Sequence, residues 1–144
     1  MSNSRKKDII KARKRFPHWK APHIKEGKLT KWNWMVQGVK KLTLGRWTDI
    51  GAFTYINAEH EVEIEDYVQI GSHCSIYSHS TIDGKTGKVL LKENSKIGSH
   101  SVIMPGVTIG KNSIVGAGAV VFNDIPDNVI AVGCPARVIK KIRT

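Results

Sequence analysis

From Leu44 onward the chain places an aliphatic residue at every sixth position. The series runs Leu44, Ile50 and Ile56, then Ile64, Ile70 and Ile76, then Leu91, Ile97, Ile103, Ile109, Val115 and Val121. Four residues after each comes a second set, nearly all small or valine-sized: Thr48, Thr54, His60, Val68, Cys74, Ser80, Ser95, Ser101, Val107, Ser113, Ala119 and Ile125. A helix repeats at 3.6 residues and a strand at 2, so neither carries a period of six. A triangular coil with three flat sides of six residues does, and it closes after 18 residues, ~4.8 Å below the next coil. The aliphatic is then expected to point inward, with the small residue filling the space near the corner. Gly45, Gly51, Gly71, Gly98, Gly110 and Gly116 each follow an aliphatic directly and are expected to supply positive φ at corners.

The period breaks twice, and each break must leave the coil as a loop. Two residues are added at His60 to Val62, and nine at Ile82 to Leu90, where Asp83-Gly84-Lys85-Thr86-Gly87-Lys88 reads as an exposed excursion. Another register keeps Ile82 as the start of a hexad and shortens that loop. Before the repeat, residues 4 to 16 predict a short basic helix, and Pro17, Pro22 and Gly27 a loop leading to Trp32 and Trp34. These tryptophans either cap the open end of the coil or form a platform for a ligand. The chain divides into a basic segment and cap at 1–43, a β-helix at 44–126 with its loop at 82–90, and an extended tail at 127–144.

Composition narrows the class. A chain of 144 residues with 40% hydrophobic content makes one domain. It contains no apolar run of the ~20 residues that a membrane span needs, and its basic N-terminus lacks the apolar stretch of a secretory signal. Cys74 and Cys134 form neither a disulfide framework nor a metal pair, so a cytoplasmic protein is expected. The net charge of +11 lies wholly in residues 1–41, where thirteen Lys and Arg face only Asp8 and Glu26. No zinc-finger, RNP or helix-turn-helix pattern accompanies that charge, so nucleic acid is the weaker expectation and an anionic small molecule the stronger.

The repeat resembles that of the hexapeptide-repeat acyltransferases over about residues 42 to 142. This resemblance implies an all-β fold, a left-handed parallel β-helix with a short N-terminal helical or irregular cap and an extended C-terminal tail. The segments Ile97-Gly98-Ser99-His100-Ser101, Pro105 to Gly110 and Gly133-Cys134-Pro135-Ala136-Arg137 are similar to the C-terminal signature of the galactoside and maltose acetyltransferase group. That similarity implies acetyl transfer from acetyl-CoA to a hydroxyl or amino group of a sugar or nucleotide-linked sugar. The resemblance also implies a homotrimer with its sites between subunits. Ile76-Tyr77-Ser78-His79 puts His79 near the point, just before the excursion, where this group carries its catalytic histidine. Ser99 matches a position that contacts the thioester and oxyanion, and Ala117 one that lines the pantetheine arm. Phe122 replaces the usual threonine, with stacking on adenine as its candidate role. Arg137 matches a basic residue near the adenosine phosphates, and Lys140 follows it closely.

Chemistry agrees with a histidine in that place. Acyl transfer from a thioester needs a base with a pKa near 7 and donors for the oxyanion, and neutral imidazole meets the first demand. Two other classes stay open. With the nine-residue loop removed, His73 and His100 lie one coil apart and should stack, which resembles the zinc-binding histidines of the γ-class carbonic anhydrases and would suit a metal lyase. A noncatalytic scaffold built from the same repeat is the other.

Overall fold

The computed structural model describes residues 3–143. The chain winds into a three-sided solenoid whose faces are parallel sheets of five, four and six strands. The first face stacks Met35–Gln37, Tyr55–Asn57, Ser75–Tyr77, Val102–Ile103 and Val120–Val121. The second stacks Leu42–Leu44, Val62–Ile64, Val89–Leu91 and Thr108–Ile109. The third stacks Asp49–Ile50, Gln69–Ile70, Lys96–Ile97, Ile114–Val115 and Val129–Val132, and closes with the antiparallel strand Arg137–Lys141. The parallel β-helix of hexapeptide repeats is therefore the architecture that the period of six called for.

The register follows the aliphatic series. Ile56 pairs with Ile76, Ile64 with Leu91, Ile70 with Ile97 and Ile103 with Val121, so one inward position stacks directly on the next. These residues are 0–3% exposed, and each contributes about 1.5–3 kcal/mol by burial. Two assignments change around the breaks. His60 is exposed, and Val62, fully buried, takes the inward place instead, because the added residues bulge at the corner. The long excursion ends earlier than residue 90, since Val89 and Leu90 already pair with Val62 and Glu63 in the second face. The register that began a hexad at Ile82 is also excluded, for Ile82 is 96% exposed.

The glycines after the aliphatics act differently from expectation. None of the six has a positive φ. That conformation falls two residues later, on Trp47, Phe53, His73, His100, Asn112 and Gly118, and at the equivalent corners after Glu65 and Lys92 on Tyr67 and Asn94. What the six glycines provide is room. A Cβ at Gly45 would stand 2.5 Å from the Glu65 carbonyl carbon, and one at Gly98 would stand 2.4 Å from the Ala117 nitrogen.

The N-terminal helix α1 (Asn3–Arg15) buries only Ala12 and is held by charge. It lies along the corner between the second and third faces, through Arg5 with Glu93, Asp8 with Lys96 at 3.2 Å and Arg15 with Asp49 at 3.1 Å. That corner carries its own ladder, in which the Asn94 amide donates to Asn112 at 2.9 Å and the Asn112 amide to Asn128 at 3.0 Å. After the helix, the Glu26 carboxylate accepts the backbone N–H groups of Val39 and Gly38 at 2.9–3.0 Å, which tie the segment to the first coil and hold its carboxyl below the usual range. Trp34 is buried at the end of the core and caps it, whereas Trp32 is half exposed.

Gly45→Ala should lower the urea-unfolding free energy by about 1–3 kcal/mol, the cost of overpacking a tight contact. An unchanged midpoint would mean that the coils separate freely at that corner.

Candidate active site

Every departure from the hexad leaves the coil at one corner, between the first and second faces. In the first coil it is the short turn Val39–Lys41, in the second Glu59 and His60, and in the third a hairpin. The hairpin begins at Ser78. His79 bridges Thr86 in antiparallel fashion, Ser80 N–H donates to Lys85 at 2.8 Å, and Gly87 N–H donates to Ser78 at 2.9 Å. At its tip the Lys85 amide donates to the Asp83 carboxylate at 3.1 Å, the main reason that carboxyl is held below its ordinary range. At its return Lys88 meets Glu63 at 3.2 Å and Glu61 at 3.4 Å, and Glu63 chiefly raises the amine's pKa.

His79 thus sits at the hydrogen-bonded base of the hairpin rather than at its tip. Its Nδ1 is buried without a hydrogen bond and lies 3.6 Å from a Glu59 carboxylate oxygen, while the side chain keeps 28% of its exposure. The His60 ring meets it edge-on, with centroids 5.0 Å apart. Below them Ser78 Oγ donates to the Asn57 carbonyl at 2.7 Å and accepts His60 N–H at 3.0 Å, joining the two excursions. Nothing in the period pointed to Glu59 and His60. The signal was their two-residue insertion, 20 residues before His79 and at the same place in the coil.

The remaining candidates lie elsewhere. Ser99 and Ala117 occupy successive coils at the opposite edge of the first face, where the third face turns into it. Ser99 carbonyl accepts the Gly118 N–H at 2.9 Å there. The turn Gly133-Cys134-Pro135-Ala136 continues the same line, with Ala136 N–H donating to Val120 at 2.9 Å. Arg137 and Lys140 follow on the exposed closing strand, and the Arg137 guanidinium donates to the Ala136 carbonyl at 3.2 Å. Phe122 is half exposed and sits apart from this line, on the His79 side of the face. The first face therefore separates His79 from Ser99, Ala117 and Arg137 within one chain.

His73 and His100 do stack, with centroids 4.8 Å apart and rings 4° from parallel. The ring that continues the column is Phe53, 5.4 Å from His73, and among the described residues no group of three His, Cys, Asp or Glu side chains forms a metal site. Among the described residues, one chain by itself thus does not assemble the donor set of a metal lyase. Also among the described residues, no helix is long and apolar enough to cross a membrane.

Residues 88–123 match the family described as bacterial transferase hexapeptide (six repeats). The galactoside O-acetyltransferase of Escherichia coli (strain K12) is 57% identical over 54 residues, 38% of this chain and 27% of that protein. The chain thus spans about a quarter of the curated relatives it matches. Among solved structures, a maltose O-acetyltransferase from Clostridium difficile 630 superposes with a TM-score of 0.72 at 33% identity, covering 78% of this chain and 65% of the other. A variant of AntD, an N-acyltransferase from Bacillus cereus in complex with dTDP and coenzyme A, gives 0.70 at 32% identity, covering 76% and 68%.

The thiols provide a check on the register. Burial pushes the Cys74 thiol up, and its sulfur lies 3.2 Å from the Gly98 carbonyl, whereas Cys134 is exposed. Iodoacetamide at pH 8 should label Cys134 in the native protein and spare Cys74, as mass spectrometry of the digest would show. Equal labelling of both would place Cys74 outside the core.

Proposed function

The chain belongs to the hexapeptide-repeat acyltransferases, and on that premise we propose that it transfers an acetyl group from acetyl-CoA to a hydroxyl or amino group of a sugar, free or nucleotide-linked. The observation that carries this reading is His79, fixed at the base of the hairpin at 79–86 with a carboxylate beside its Nδ1. A proton on Nδ1 directed at Glu59 leaves Nε2 as the basic nitrogen. His79 then removes the acceptor's proton as its oxygen or nitrogen bonds to the thioester carbonyl carbon, and returns that proton to the departing thiolate when the carbon–sulfur bond breaks. Glu59 positions the ring and favours the imidazolium that forms between the two steps.

Ser99 and the backbone N–H groups of its corner are the proposed donors to the oxyanion. Ala117 presents a small side chain along which the donor's pantetheine arm lies, and Arg137 with Lys140 takes the 3′-phosphate. In this scheme Phe122 is a stacking surface for adenine. Ser99, Ala117, Arg137 and Lys140 stand across the first face from His79, so one chain does not bring both halves of the site together, and Phe122, on the His79 side, would meet the donor bound along a neighbouring chain. A closed trimer with the first faces turned inward sets the His79 corner of one chain against the Ser99 corner of the next. Three sites between subunits result. Two unpaired cysteines suit work in the cytoplasm. The relatives' names support the acceptor class, since they include galactoside and maltose O-acetyltransferases and an N-acyltransferase solved with dTDP.

His79→Ala should reduce kcat by ~10² or more with the fold intact by circular dichroism, as loss of a general base does. Glu59→Gln should cost less, with the loss in kcat and KM little changed, since the imidazole stays in place but loses the carboxylate that orients it. Activity of His79→Ala within about threefold of wild type would exclude the assignment. For the donor, dephospho-acetyl-CoA should show a higher KM than acetyl-CoA, and Arg137→Ala should remove most of that difference. Equal KM values in the wild type would dismiss the phosphate contact.

A further inference from the structure

A groove of about 520 Å³ opens between the segment that follows α1 and the first coil, and none of the residues assigned above to acyl transfer lines it. Its walls are aromatic. Trp32 is 51% exposed there, although Trp34, two positions on, is buried in the core. Opposite it, Phe16 lies under the Arg15 guanidinium at 5.1 Å, and Trp19 is fixed by an indole N–H donated to the Thr48 carbonyl at 2.9 Å. The rim is cationic. Lys31 Nζ stands 5.3 Å from the Trp32 ring, and among the described residues neither Lys31 nor Lys20 has a carboxylate partner. The one carboxylate of the lining, Asp49, is engaged by Arg15 at 3.1 Å.

A neutral sugar would find use for the aromatic faces but not for the uncompensated cations, and a bare inorganic anion the reverse. A flat heteroaromatic ring joined to phosphate uses both, through stacking and charge-assisted hydrogen bonds. Placement adds to this. The turn that carries Trp32 begins the column in which Phe53, His73 and His100 come next, since the Phe53 N–H donates to Asn33 at 2.6 Å. Ser99 lies three coils farther along the same corner, ~14 Å at the strand spacing. We propose that this groove binds the nucleoside phosphate part of a nucleotide-linked sugar acceptor, with the sugar extended along the corner toward the acyl donor. The proposal rests on the acyl-transfer reading above.

The test is equilibrium dialysis and calorimetry on the full chain without acyl donor, with uridine and thymidine diphosphates as probes. At least one nucleoside diphosphate should bind, and Lys31→Ala and Trp32→Ala should each weaken it by ~10-fold or more while leaving the affinity for coenzyme A unchanged. Pyrophosphate should bind at least ~10-fold more weakly than the nucleotide, and coenzyme A should not displace it. Absence of binding, indifference to both substitutions, or equal binding of pyrophosphate would overturn the proposal. Competitive displacement by coenzyme A would do so too, by assigning the groove to the donor's own adenosine phosphate. Acetyl transfer to free sugars with no nucleotide binding would remove the groove and leave the catalytic reading in place. Nucleotide binding at Trp32 in a protein that consumes no acetyl-CoA would remove the acyl-transfer premise instead.

Discussion

At the corner between the third and first faces, successive coils lie so close that a Cβ at Gly51 would stand 2.4 Å from the Ser72 nitrogen, and one at Gly98 the same distance from the Ala117 nitrogen. This contact between stacked backbones governs the rest of the molecule. It requires glycine at the tight positions, and it forces positive φ two residues later so that the chain can turn. It also leaves no space for an extra residue inside a coil. Every insertion must leave at a corner, and all leave at the one between the first and second faces. Insertion and core packing are thereby separated, since the hairpin at 79–86 forms while Ile76 and Leu91 keep their stacked places.

The same separation shapes the chemistry. The excursions deliver His79, Glu59 and His60 to one edge of the first face, while the corner opposite carries no excursion and keeps Ser99 and Ala117 in line on successive coils. A rigid face holds these groups apart, and on the acyl-transfer reading it also fixes how a neighbouring chain must approach to join them. The charge of the N-terminal segment has a local account. Part of it fastens α1 to Glu93 and Asp49, and part of it surrounds the aromatic groove.

How much of this is legible in the sequence depends on which residues face inward. The core is legible in full outline, because burial imposes a strict period and Ile56, Ile76, Ile103 and Val121 obey it. The stacking of His73 on His100 comes from the same arithmetic. Corners read less well. A glycine that relieves a clash and a glycine that adopts positive φ look alike in sequence, so Gly45 and Gly98 suggest the wrong role. The exit of the hairpin reads two residues late because Val89 is as acceptable outside a coil as within it. Glu59 escapes notice because its partner, His79, is 20 residues away and meets it only through coil stacking.

The central claim is that one catalytic site is made from the His79 corner of one chain and the Ser99 and Ala117 corner of another. It is tested most directly by mixing two inactive variants, His79→Ala and Ala117→Glu, under conditions that let subunits exchange. If the site lies between chains in a trimer, a random equal mixture should recover about a quarter of wild-type turnover, from hybrid junctions that pair an intact His79 with an intact Ala117. No recovery, with exchange confirmed by mass spectrometry of the hybrids, would mean that each chain carries its own complete site.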